Sequence, residues 1–168
     1  ELYPYPSIGD GRLGTDVVLT LVDGIATDSD GNIFISHRSQ NRIRKVSPDG
    51  VITTIAGNGI AGFSGDGGFA LDASLSFPAG LVSKNGTLYI PDRNHHRLRK
   101  IDSNGIITTV AGTGKPGCCN DNGLAKEAHL HFPSDVDIDL EGNLYISDRS
   151  NNRIRKVNSE GIITTIAG

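Results

Sequence analysis

A stretch of twenty residues occurs three times in this 168-residue chain, and a chain that repeats itself in this way folds by stacking copies of one unit. The copies are RSQNRIRKVSPDGVITTIAG at 38–57, RNHHRLRKIDSNGIITTVAG at 93–112 and RSNNRIRKVNSEGIITTIAG at 149–168; the first and third agree at 15 of 20 positions. A second block recurs with them. Gly9-Asp10-Gly11 lies fifteen residues before Gly24, Gly65-Asp66-Gly67 lies fifteen before Gly80, and Asn120-Asp121-Asn122 keeps the same distance to Asp135. The chain therefore divides into three units, 1–57, 58–112 and 113–168.

Each unit reads as four short strands. The first falls at 24–28, 80–83 and 135–139, the second at 32–36, 87–91 and 143–147, the third at 42–46 and its copies, and the fourth at 51–56 and its copies. Asp30-Gly31, Asn85-Gly86 and Glu141-Gly142 predict tight hairpins between the first two strands, since type I′ turns need positive φ. The middle unit is one residue shorter at this turn. Along the second strand Ile33 and Ile35 point to one face, Phe34 and Ser36 to the other. No stretch shows a helical period; only 124–129 is faintly helix-like. Glycine, at 22 residues, suits many tight turns. Four strands per unit, repeated, predict an all-β chain: a β-propeller of four-stranded antiparallel blades, three of them in this chain. One such sheet cannot bury both faces alone, which fits a hydrophobic fraction of only 36%.

Phe77-Pro78-Ala79-Gly80, Gly142-Asn143-Leu144-Tyr145-Ile146-Ser147-Asp148, the Asn-Arg-Ile-Arg-Lys-Val run at 152–157 and the Ile-Thr-Thr-Ile-Ala-Gly run at 163–168 resemble the NHL repeat family. The resemblance covers nearly the whole chain after residue 9. It implies a six-bladed propeller, of which these three blades form half. Further blades of the same longer chain, or a second copy, would complete the ring. Departures are His37 where the other units have Asp92 and Asp148, Leu21-Val22-Asp23 in place of the Phe-Pro motif, and residues 1–8, ELYPYPSI, which match the Gly-rich loop poorly. The absence of Met and the end on a unit boundary point to a fragment of a longer protein.

Several groups could carry chemistry. Asp92 precedes Arg97 by five residues, and Asp148 precedes Arg153 by five; each carboxylate ends one strand where the guanidinium begins the next, which predicts repeated structural ion pairs. Arg-x-Arg-Lys recurs at Arg42, Arg97 and Arg153. Some members of the resembling family bind RNA, but acidic residues are interleaved everywhere: 16 basic residues face 19 acidic ones, for a net charge of -3. Nucleic acid is therefore an unfavoured partner. His95, His96, His129 and His131 have no Cys or carboxylate at a metal-ligand spacing and read as loop and surface residues. Asp10, Asp66 and Asp121 read as loop-holding carboxylates. Cys118-Cys119 could close a vicinal disulfide in an oxidising compartment. Asn85-Gly86-Thr87 is the one Asn-x-Ser/Thr sequon and falls on an exposed hairpin turn, a possible glycosylation site.

The first strands offer Asp28, Lys84, Asp135, Asp137 and Asp139 to a central channel but no nucleophile–base pair. The loops between units differ, GNGIAGFSGDGG against GTGKPGCCNDNG, on a constant frame. The sequence thus points to a non-enzymatic module for protein–protein interaction within a larger extracellular or cell-surface protein, with no cofactor and no membrane span. A structural block of a multi-subunit assembly, and a propeller lyase or hydrolase with a central-channel site, are the alternatives.

Overall fold

The computed structural model describes residues 8–118 and 120–168. Among these residues fourteen strands form three antiparallel sheets. The first contains β1 (Arg12–Leu13), β2 (Val22–Thr27), β3 (Ile33–His37), β4 (Arg42–Val46) and β5 (Val51–Ala56), in the spatial order β1-β5-β4-β3-β2. The second contains β6 (Val82–Lys84), β7 (Thr87–Asp92), β8 (Arg97–Ile101) and β9 (Ile107–Ala111), in sequence order. The third contains β10 (Gly123–Leu124), β11 (Asp135–Ile138), β12 (Leu144–Asp148), β13 (Arg153–Val157) and β14 (Ile162–Ala167), in the order β10-β14-β13-β12-β11. The four strands read per unit are therefore meanders. The short outer strands β1 and β10, which carry no local strand signal, come from the leading loops of the first and third units and pair with those units' last strands. The second sheet keeps the same contact as a single bridge, Phe69 to Ile106.

The hairpins differ from expectation in an instructive way. Only Asn85 and Gly86 both adopt positive φ, 50° and 73°, as a type I′ turn requires. In the other two units only the glycines do, Gly31 at 81° and Gly142 at 89°. The extra residue in those units makes a longer loop whose single left-handed position falls on glycine. Asp28 then holds it, its Oδ1 accepting the amides of Asp30 at 3.0 Å and Asn32 at 2.9 Å, and Asp139 accepts the Asn143 amide at 2.8 Å. The middle unit has Lys84 at this position and needs no such brace. The faintly helical 124–129 contains a 3-10 turn, Ala125–Glu127; among the described residues there is no α-helix, and no helix is long and apolar enough to cross a membrane.

Two apolar cores lie between sheets. One joins Phe34, Ile43 and Ala56 of the first sheet to Leu81, Leu88, Ile90, Ile101 and Ile107 of the second. The other joins Leu98 and Ala111 of the second to Val136, Leu144, Ile146 and Ile163 of the third. The inner strands meet edge to edge: a Cβ on Gly24 would lie 2.7 Å from the Gly80 Cα, so only glycine permits that approach.

Candidate functional site

The largest buried side chains are three arginines, one per unit: Arg44, Arg99 and Arg155, all fully buried in the third strand of their sheet. Burial of a guanidinium is tolerated only with a charged partner. Each reaches the carboxylate of its unit's leading loop: Asp10 at 2.8 Å, Asp66 at 2.7 Å and Asp121 at 2.8 Å. The loop-holding role read for these aspartates is thus an ion pair to a buried arginine. The same guanidinium takes a loop carbonyl, Ile8 O at 2.7 Å or Ser64 O at 2.8 Å.

This network corrects the predicted ion pairs. Asp92 and Asp148 lie opposite Arg97 and Arg153 in register, yet they pair with Arg99 and Arg155, two residues further along the same strand face. Asp148 Oδ2 lies 3.3 Å from Arg155 Nη1, and Asp92 Oδ2 lies 3.9 Å from Arg99 Nη1. Both carboxylates are fully buried, and the buried arginine is the one that needs them. Arg97 instead reaches forward, donating to Thr113 O at 2.6 Å, as Arg42 does to Asn58 O at 3.1 Å; Arg153 donates to Cys118 O at 2.8 Å. Arg97 and Arg42 therefore tie each sheet to the next unit's loop. Register favours the wrong arginine, and the strand period places both on the carboxylate's side of the sheet, so burial under the neighbouring sheet makes the choice.

Cys118 is exposed, and its partner in the proposed disulfide, Cys119, lies outside the described residues. Asn85 is exposed at the tip of its hairpin. Lys84 Nζ donates to the Asp139 backbone carbonyl, so one of the candidate channel groups serves the contact between the second and third sheets. The Asp139 carboxyl is held down to about 2, chiefly by the Asn143 side-chain amide and, against the opposing effect of burial, further by the Asn143 backbone amide and the Tyr145 hydroxyl. Asp135 and Asp137 each accept the amide of the following residue. Of the histidines, His96 is buried and left-handed at φ 54°, accepts the Phe132 amide at 3.1 Å, and packs edge-on against that ring. Burial, with the neighbouring His131, pushes its pKa down.

One face brings together groups that sequence reasoning passed over. The second strand of each sheet runs into a 3-10 turn, Arg38–Gln40, Arg93–His95 and Arg149–Asn151, each opening on an arginine. The turns pack on the loops that lead into the inner strands: Arg38 N bonds Leu21 O, Asn94 N bonds Ser76 O, and Ser150 N bonds His131 O. Because the inner strands meet edge to edge, the three arginines converge. Partial burial, then the charges of Arg149 and Arg38, lower the pKa of Arg93. Arg38 pairs with Asp23 at 3.4 Å and lies over the Phe77 ring. Asn85 and the other hairpin tips lie at the opposite end of the strands, some 20 Å away for a six-residue strand. The recurrence of Arg after each second strand was visible in the sequence, but the convergence of the three turns is a product of the stacking.

The family pattern described as the Teneurin NHL domain matches residues 61–117 and 114–168. Human Teneurin-4 is 30% identical over 165 residues, spanning 86% of this chain, and Teneurin-m of Drosophila melanogaster is 30% identical over 172 residues, spanning 95%. The chain covers 6% of the length of each. Among solved structures, a chain of a nidogen/laminin complex superposes with a TM-score of 0.63 at 19% identity, covering 90% of this chain and 49% of that one. A streptogramin B lyase superposes at 0.61 with 17% identity, covering 88% and 40%. At such identities the two structures share the β-propeller fold with this chain and no more. With three copies of the repeat on one frame and a family match over most of its length, the chain belongs to the Teneurin NHL domain family.

Proposed function

We propose that this chain is a non-enzymatic propeller module that binds a protein partner within a larger cell-surface or extracellular protein. Its three sheets are three blades, 1–57, 58–112 and 113–168, of a six-bladed ring completed by further blades of the same longer chain or by a second copy. The observation that carries the reading is the face of the three 3-10 turns, where Arg38, Arg93 and Arg149 converge beside Phe77. Arginine and aromatic side chains together are what protein interfaces favour. Two of the carboxylates that a channel enzyme would use, Asp28 and Asp139, are engaged in holding turns. An exposed sequon at the opposite end supports both the compartment and the choice of face, since a glycan on Asn85 would leave the arginine face open.

A photo-crosslinking residue at position 93 of the full-length protein, displayed on intact cells, tests this. The expected result is a discrete crosslinked protein from position 93 and none from position 104, on the hairpin at the other end of the sheet. Equal capture at both positions, or none at either, rejects the arginine face as the interface.

A further inference from the structure

We propose that the first unit contains a carboxylate-binding site, formed by Arg44 and His37, that takes a carboxylate from beyond the unit's described residues. The three units allow a comparison within one molecule. In the second and third units a buried aspartate ends the second strand and uses both oxygens. Oδ1 accepts a backbone amide, Ser76 N to Asp92 at 2.8 Å or His131 N to Asp148 at 2.7 Å. Oδ2 faces the buried arginine and a side chain from the 3-10 turn, His95 Nδ1 at 3.1 Å or Asn151 Nδ2 at 2.7 Å.

In the first unit His37 stands in that place. Its Nε2 accepts the Thr20 amide at 3.2 Å and so does the work of Oδ1. An Nε2 that accepts leaves the neutral ring's proton on Nδ1. Among the described residues nothing does the work of Oδ2: His37 Nδ1 and Arg44 Nη1 are buried without a hydrogen-bond partner, whereas the arginine Nε is unpartnered in all three units and does not distinguish them. Arg44 Nη1 also lacks the carbonyl contact that Ser74 gives Arg99 at 3.1 Å and His129 gives Arg155 at 3.4 Å.

The charge count agrees. Among the described residues Arg99 and Arg155 each have two carboxylates, whereas Arg44 has Asp10 alone. A fully buried guanidinium is one negative charge short, and the imidazole N–H adds a second unanswered donor. Two donors around one missing anionic oxygen favour a carboxylate, the group the sister units place there. A cleft lined by Ile8, Arg12, Asp16, Thr20, Gln40 and Arg44 runs alongside, giving a route from solvent.

The test uses the 168-residue chain in whatever oligomeric form it adopts, with the His37 ring resonances as the reporter. Sodium acetate is titrated against sodium chloride at equal ionic strength. The expected result is a saturable shift of the His37 Nδ1–H signal with acetate at about 1–10 mM, absent with chloride. A hexa-aspartate peptide distinguishes the sources: binding at least tenfold tighter than acetate assigns the site to an acidic segment of a protein, and equal or weaker binding assigns it to a free small acid. His37→Asp supplies the carboxylate internally. The backbone already suits it, since His37 at φ -90° and ψ 79° matches Asp92 at -85° and 79°. This variant should melt at least about 2 °C higher and lose the acetate response. An unmoved His37 signal with both acetate and peptide overturns the proposal, as does a response that persists in folded His37→Asp. Should the variant not fold, the titration of the unsubstituted chain decides alone.

Discussion

At the scale of single residues, the buried arginine of each unit outweighs its exposed neighbour. Replacing Arg155 with Met leaves Asp148 fully buried without its cation and frees the loop that Asp121 anchors, a loss of about 3–5 kcal/mol. Arg153, which donates to one carbonyl, should cost about 1 kcal/mol on truncation to Ala. Thermal melting of the two variants checks the order; equal losses would contradict the assigned roles. The two buried histidines set a pH response. Burial is the main cause that lowers the pKa of both His37 and His96, from an ordinary value of 6.5. The unfolded chain therefore binds more protons than the native one below about pH 6.5. Stability is full above that value and is lost as pH falls through the lowered native pKa values. Asn41 already fills the first unit's equivalent of His96, left-handed at 52° and accepting the Phe77 amide at 3.0 Å. His96→Asn should keep the backbone bond to Phe132 and reduce the fall in melting temperature between pH 8 and pH 5. An unchanged fall would place the titration elsewhere.

At the scale of elements, the glycine that closes each repeat has a specific reason. Gly112 sits at φ 94°, where a Cβ would lie 2.2 Å from His96 O and 3.0 Å from Arg97 Cα. It ends the last strand beside the register shift at Leu98 and Arg99. Gly105, in the preceding turn, has φ 76° but open space around its Cβ position. Gly105→Ala should cost only the left-handed penalty of about 1–2 kcal/mol. Gly112→Ala adds a backbone clash and should cost clearly more, read as a larger drop in denaturant midpoint. Similar losses would mean that the strand end relaxes easily. The recurring Ala-Gly was legible in the sequence as a boundary, and so were the four strands per unit, because their turn residues and apolar alternation are local. The short β1 and β10 were not, since Arg12-Leu13 and Gly123-Leu124 pair only after the loop folds back on the last strand. The choice of Arg99 over Arg97 was hidden for a related reason. Both lie on Asp92's side of the sheet, and burial, which comes from stacking, decides between them.

At the scale of the molecule, equivalent positions measure what the end sheets lack. Leu81, immediately before β6, and Val136, on β11, are 6% and 4% exposed because a preceding sheet covers them. Ile25, their counterpart in the first sheet, is 68% exposed. At the other end Ile43 and Leu98 are fully buried under a following sheet, while Ile154 is 36% exposed. The two uncovered surfaces are thus the same two that meet inside the chain, one of each kind at opposite ends. Surfaces that complement each other within a chain complement each other between chains, so they close rings or build arrays. The 168-residue chain alone should therefore associate, and light scattering should give a mass above the 17.7 kDa of one copy. Ile25→Lys and Ile154→Lys place a charge in each half of that contact. Either substitution should return the chain to a single-copy mass, and combining them should add nothing, since both act on the same interface. A single-copy mass for the unsubstituted chain with a cooperative melt would show that the end sheets tolerate water without a partner. Association unaffected by either lysine would place the contact on a different surface, such as the arginine face of the 3-10 turns.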